Sequence, residues 1–233
     1  MFNRRSFLLS CGLTATGLLG RKAAAAELDL RACRPADPLT ALQQGNARFA
    51  AAWQASNAAA AEDRSHAMAG LWQDNCYVPS SALRTGQAPW ASILCCADSR
   101  VAPEWIFDAV PSDLFVIRSA GNTAFDEAIA SLEYAVSVLQ TPLILVMGHS
   151  GCGAVTAARS DAPLTPLLDA LVEPIRALHQ PGDTLDAAIR NNARHSAQQL
   201  TARSALLAEA AASNQLTIRS AHFDIGSGTV TMI

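Results

Sequence analysis

The sequence predicts an α/β fold, with a mainly parallel central sheet flanked by helices and an antiparallel hairpin at the C-terminal edge. Three observations carry this expectation. Short apolar runs at 90–96 (WASILCC), 113–119 (DLFVIRS) and 142–150 (PLILVMGHS) read as buried strands. Segments of helical character stand between and around them. The chain closes on two more strand-like runs, QLTIRSAHFDI and GTVTMI, joined by the Gly226–Gly228 turn as an antiparallel edge pair.

The first 26 residues read as a targeting segment rather than as fold. Arg4 and Arg5 precede a mildly apolar run from Phe7 to Gly20, and small residues lead on to Ala26. That anatomy is a twin-arginine export signal cut near Ala26, which makes the mature protein periplasmic and leaves 27–233 as a single domain. The apolar run is about 14 residues long and rich in Gly and Thr, short of a membrane span, so no membrane association is expected after cleavage. Two rival readings are an uncleaved anchor and a lipoprotein acylated at Cys11.

The remaining elements follow in order. DPLTALQQGNARFAAAW reads as a helix with Asp37 or Thr40 near its start and Leu42, Ala47 and Phe49 as apolar positions. Helical propensity continues from Ala50 to Gly70, with soft breaks at Asn57 and Asp63. The Asn, Pro, Ser and Gly content of 74–89 marks a loop. Between the second and third strands, Ile129, Leu132, Val136 and Leu139 share one face of a helix over 125–139. GAVTAARS begins another helix, and the stretch 160–182 is interrupted by prolines. An Ala-rich helical stretch over 182–213, capped by Asp183 or Thr184, precedes the closing strands.

With 50% hydrophobic and 16% charged residues, the chain can bury one sizeable core. A net charge of −3 gives no support for a nucleic-acid partner. Cleavage would leave five cysteines, Cys33, Cys76, Cys95, Cys96 and Cys152, so a disulfide framework cannot use them all. Cys33 and Cys76 are either free or paired with each other. A thiol that stays reduced outside the cytoplasm needs protection, which a metal provides.

In an open α/β sheet the ligand site lies at the carboxyl ends of the strands. Two chemically loaded stretches fall there: Cys96-Ala97-Asp98-Ser99-Arg100 and His149-Ser150-Gly151-Cys152. Side chains alternate along an extended chain, so Cys96 and Asp98 point together while Cys95 points into the core. His149 and Cys152 stand three apart across a glycine at a helix start, close enough to share an ion. With Cys96 they supply two thiolates and an imidazole, a zinc set. The fourth position goes to water, as in catalytic sites, or to Asp98, which would make the site a closed structural one. Two thiolates neutralise Zn²⁺, so a water there is acidified only enough to ionise at mildly alkaline pH. Arg100 is placed to grip Asp98 in a bidentate pair and keep it off the metal. Taken singly, a strand cysteine is ordinary packing and H-x-x-C is weak; it is the two together, at strand ends, that point to a metal. His66, His179 and His195 read as surface or cap residues, and His222 as structural.

These residues resemble the β-class carbonic anhydrases. CCADSR matches the family's C-x-D-S-R, and GHSGCGAV its G-H-S-x-C-G. DPLTALQQGNARF is similar to the family's opening helix, DLFVIRSAGN to its second strand and turn, SLEYAV to its next helix and AHFDIGSGTV to its closing hairpin. The resemblance implies one Zn²⁺ per chain on Cys96, His149 and Cys152, an Asp98–Arg100 catalytic dyad, and reversible hydration of CO2 to bicarbonate and a proton. In that family the Arg holds the Asp so that it accepts a hydrogen bond from the zinc-bound water, whose hydroxide form attacks CO2. One branch shuts its site by swinging the Asp onto the metal and is marked by a Trp three residues before the first ligand, where this chain has Ile93. The plant-like branch carries a Gln nine residues before that cysteine, where Gln87 stands.

By the same resemblance Gln87 hydrogen-bonds substrate, Phe115 and Tyr134 wall the CO2 pocket, and the Gly153 amide contacts bicarbonate. Read without it, Phe115 and Tyr134 are core residues and Gln87 belongs to a loop. In the family the pocket spans a subunit interface, which implies a homodimer or a dimer of dimers. The chain departs from the family in having Cys95 where a small residue is usual, Ser119 where Asn is commoner, and a longer loop around Cys76. Two alternatives remain: hydrolysis of carbonyl sulfide or carbon disulfide at the same site, and a non-catalytic zinc- or bicarbonate-binding protein. The Asp98–Arg100 pair argues against the second, because a binder needs no group to orient water.

Overall fold

The computed structural model describes residues 30–233; the export signal expected over 1–26 and Cys11 lie outside the described residues. Helix α1 (Pro38–Ala58) begins where the sequence places it. Asp37 caps it, accepting from the Leu39 and Thr40 amides at 3.0 and 3.2 Å, and Pro38 fills the first turn. Leu42 and Phe49 are buried, but Ala47 faces outward, because helical spacing puts Gly45 and Asn46 on the inner side instead. A 3₁₀ turn (Ala61–Asp63) and α2 (Arg64–Met68) follow, so the soft breaks fall where expected. The loop over 74–89 contains a short helix, α3 (Ser80–Leu83), that its loop composition concealed.

The sheet consists of β1 (Ala91–Cys96), β2 (Leu114–Ser119), β3 (Leu143–His149), β4 (Thr217–Asp224) and β5 (Thr229–Met232). Their spatial order is β2-β1-β3-β4-β5; every pairing is parallel except the β4–β5 hairpin. The α/β class, the parallel core and the antiparallel edge are therefore as expected from sequence. Connecting helices are α4 (Pro103–Ile106), α5 (Asp126–Ser137), α6 (Gly153–Ala158), α7 (Pro166–Arg176), α8 (Leu185–Arg203) and α9 (Ala205–Ala212). None of the helices among the described residues is long and apolar enough to cross a membrane.

Strand alternation divides the core. Ile93, Cys95, Leu145, Met147 and Phe223 pack on the α1 side with Leu42, Phe49 and Phe107. Leu94, Ile144 and Val146 pack on the other side against Leu132 of α5, Leu200 of α8 and Leu207 of α9. β1 and β3 are buried along their whole length, as parallel strands covered on both faces must be. β2 differs from the expected buried strand: it is the sheet edge and its residues are at most half-buried. Two other differences have local causes. The proline-interrupted stretch forms α7, with Pro166 in its first turn and Pro174 near its end, and it buries Val172 and Ile175. The helical run over 182–213 breaks at Ser204, whose hydroxyl accepts from the Leu207 amide at 3.1 Å and so caps α9.

Candidate metal centre

β1 and β3 are neighbours, so their last residues, Cys96 and His149, emerge side by side at the carboxyl end of the sheet. Beyond His149 the chain turns through Gly151, whose φ of +66° is open to glycine and strained for other residues. That turn brings Cys152 back at the position just before α6. The ligand atoms of Cys96, His149 and Cys152 then lie within 4.8 Å of one another, all buried, with the two sulfurs 4.0 Å apart. Thiolates at about 2.3 Å and an imidazole at about 2.0 Å from one ion span such distances, so the set fits a tetrahedral zinc.

The surroundings prepare His149 and Cys96 for a metal, and leave Cys152 to give up its proton when a cation arrives. His149 Nδ1 lies 3.1 Å from the Ser150 carbonyl, which can only accept, so Nδ1 carries the proton and Nε2 presents its lone pair. Nε2 is fully buried and has no hydrogen-bond partner within the protein. A buried acceptor left without a donor is costly, and a cation at the centre of the three ligands satisfies it. Hydrogen bonding from the Cys152 thiol, with the Gly121 amide adding to it, outweighs burial and pulls the Cys96 thiol well below its usual range. The same Cys96 neighbour and burial push Cys152 upward. The pair thus shares one proton, because two buried thiolates 4.0 Å apart repel; a divalent cation between them removes that penalty.

Asp98 stands at the rim. Arg100 donates from Nε to Asp98 Oδ1 at 2.9 Å and from a terminal nitrogen to Oδ2 at 2.6 Å, and its amide adds a third bond at 2.9 Å. These bonds hold the Asp98 carboxyl well below the usual carboxylate range. Oδ2 lies 3.9 Å from His149 Nε2, so the carboxylate adjoins the ligand set without joining it. Two residues that the sequence reading passed over complete the frame. Arg118 on β2 donates to the carbonyls of Cys96 and Asp98 at 3.1 and 2.7 Å and so fixes the strand end. The only hint of it in the sequence is a cation within an otherwise apolar run. Gly121, with φ +88°, donates its amide to Cys96 Sγ at 3.4 Å, and a Cβ there would meet Ile175 at 2.5 Å.

Cys95 lies on the opposite face, fully buried, and burial pushes its thiol up to about 12. Cys33 and Cys76 form a disulfide. Gly153 opens α6 at the exposed mouth of the site. Gln87, Phe115 and Tyr134 are not brought to the ligand set within one chain. Phe115 pairs with Ser92, four residues before Cys96 in the strand, which is about 13 Å along the sheet. Its ring lies 6.4 Å from that of Tyr134, and Tyr134 is 46% exposed, so the reading of this pair as plain core is corrected.

Comparison with known proteins then assigns the family: residues 91–230 match the model described as carbonic anhydrase. The chain belongs to the carbonic anhydrase family. Carbonic anhydrase 2 of Mycobacterium tuberculosis is 54% identical over 78 residues, 34% of this chain and 38% of that protein. The carbonic anhydrase of Mycolicibacterium smegmatis is 40% identical over 120 residues, 52% of this chain and 50% of its own length. The chain thus spans half or less of these curated relatives. Among solved structures, a tetrameric β-carbonic anhydrase from Sordaria macrospora superposes with a TM-score of 0.59 at 28% identity, covering 66% of this chain and 85% of that one. A Coccomyxa β-carbonic anhydrase in complex with acetazolamide gives 0.59 at 29% identity, covering 66% and 75%. The β-class assignment matches the parallel sheet and its antiparallel edge.

Proposed function

We propose that this chain is a β-carbonic anhydrase that interconverts CO2 and bicarbonate with one zinc ion per chain, held by Cys96, His149 and Cys152. The observation that carries the reading is the preassembled ligand set beside a carboxylate already locked by an arginine. Zinc bound there supplies a Lewis acid that makes water nucleophilic, at mildly alkaline pH where two thiolates offset the ion's charge. Asp98 accepts a hydrogen bond from the attacking water and aims its lone pair at CO2. A carboxylate held so far below its usual range is too weak a base to keep the proton, which passes on to buffer. Arg100 occupies both Asp98 oxygens and keeps the carboxylate turned from the metal.

The pocket for CO2 is completed by a second copy of the chain. Gln87, Phe115 and Tyr134 lie at the far end of the sheet, and Phe115 and Tyr134 form a partly exposed aromatic pair there. A two-fold pairing would let that surface face the partner's metal centre, with the Gly153 amide at the mouth to contact bicarbonate. This supports a dimer, or a dimer of dimers like the tetrameric relative. Export by the twin-arginine route to the periplasm is part of the same proposal, and the Cys33–Cys76 disulfide supports an oxidising compartment. Stopped-flow CO2 hydration on zinc-quantified protein tests the activity. Stoichiometric zinc with no hydration from neutral to alkaline pH would refute it, and carbonyl sulfide would then be the substrate to try.

A further inference from the structure

A covalent and hydrogen-bonded anchoring away from the metal centre holds the loop that carries Gln87. The Cys33–Cys76 disulfide, with Cα atoms 5.4 Å apart, ties the segment ahead of α1 to the loop over 74–89. Arg34, one residue on, donates to the Pro89 carbonyl at 2.9 Å and the Gln140 carbonyl at 3.1 Å. Leu30 packs with Ala82 and Ala88. Thr141 adds a second donor to Pro89 at 3.2 Å, and the Ala88 amide reaches Ser112 Oγ at 3.4 Å. Gln87 is exposed, yet the residues on its C-terminal side are held from several directions. Cys33, Arg34, Cys76 and Gln87 all precede residue 91, so these four residues lie outside the stretch that matches the family, although Ser112, Gln140 and Thr141, which they or their neighbours bond, lie within it.

A Gly-Gln-Ala-Pro segment has no regular structure of its own to fix a side chain, so its position comes from what grips its flanks. We propose that the Cys33–Cys76 disulfide and Arg34 are positioning residues for Gln87, setting where its amide stands for a CO2 molecule at the partner subunit's metal. The inference rests on the reading of Gln87 as a pocket residue. A disulfide serving stability alone would leave substrate handling unchanged.

The test compares zinc-loaded full-length wild type with Cys33→Ser/Cys76→Ser, Arg34→Met, Gln87→Ala, and Gln87→Ala added to the cysteine pair. Hydrogen exchange of the 85–88 amides, zinc per chain, and kcat and KM are measured on each. Exchange at 85–88 is expected to quicken without the disulfide or Arg34, with β1, β3 and zinc content unchanged. The value of kcat/KM is expected to fall about tenfold, within the loss that misplacing a binding group by about an ångström brings. On the Gln87→Ala background the further loss from removing the disulfide should be under about twofold, since the two act through one group. Unchanged exchange, or additive losses, would overturn the inference, as would a lower Tm with intact kcat/KM. If the cysteine-free protein fails to fold, Arg34→Met decides by the same criteria. Activity lost in Gln87→Ala but kept in both anchor variants would defeat this inference alone. Full activity in Gln87→Ala would defeat the pocket reading beneath it.

Discussion

The two ends of the central sheet are finished to different degrees. At the carboxyl end, β1 and β3 deliver Cys96 and His149 side by side, and Cys152, Asp98, Arg100, Arg118 and Gly121 enclose them in a bonded frame. At the amino end, Phe115 and Tyr134 touch each other but stand partly exposed, and Gln87 projects from a gripped loop. On the proposed reading, the carboxyl end holds the polar groups that catalysis needs in fixed geometry, and one chain supplies them all. On the same reading, the amino end would wall a small apolar gas, for which the surface of a neighbouring copy would serve. The contrast predicts that damage to one end acts on chemistry, while damage to the other acts on substrate handling and can be repaired in trans.

Asp98→Asn should have the largest effect on chemistry alone. It should keep zinc and the fold yet lower kcat by about 10²- to 10⁴-fold, the range for a lost proton-handling group, as read by stopped-flow hydration beside metal analysis. The comparison itself would break if zinc were lost with activity, because Asp98 would then be a ligand. Phe115→Ala/Tyr134→Ala should cost about 10- to 100-fold in kcat/KM with zinc intact. Mixing that variant with Asp98→Asn under exchange of subunits should restore roughly a quarter of wild-type activity, since half the dimers would pair the two variants and hold one intact site. No recovery, with exchange verified by mass, would place both ends in the same site of one chain.

Smaller effects sharpen how the metal end is framed. Arg118→Met removes the donors to the Cys96 and Asp98 carbonyls and should lower kcat/KM about tenfold, with thermal stability also reduced. His222, buried on β4 beside Gly148, lies 3.1 Å from Asp186 and 3.2 Å from Arg190, both on α8. Burial first, then Arg190, depresses its pKa despite the pull of Asp186 and Asp224. Its folded state therefore binds a proton less readily than the unfolded chain. Its contribution to stability is full above the unfolded value of about 6.5 and is lost as the pH falls through the folded one. His222→Gln should flatten the acid side of the Tm–pH curve below that value; an unchanged slope would mean that other groups set it.

Much of this was legible in the sequence because period and position are local. Alternation alone separates Cys95 from Cys96, and the structure puts them on opposite faces, in different core clusters. The ligand set was legible for the same reason, since each ligand terminates a strand or starts a helix. Other features depend on what lies across space. Nothing in DLFVIRS reveals that β2 is an edge or that Arg118 reaches the end of β1. Helix α7 was hidden by Pro166 and Pro174, which weaken local propensity but are tolerated at a helix start and near its end, where packing of Val172 and Ile175 compensates. Cys33 and Cys76 stand 43 residues apart, and only the fold brings them together.

The most direct test of the account sets adjacent cysteines against each other: zinc content and CO2 hydration of Cys96→Ser and Cys95→Ser beside wild type. The account expects Cys96→Ser to lose both zinc and activity. Cys95→Ser should keep both and lose only about 1–3 kcal/mol of stability for burying an unpaired hydroxyl. Zinc and activity retained in Cys96→Ser, or lost in a folded Cys95→Ser, would contradict it.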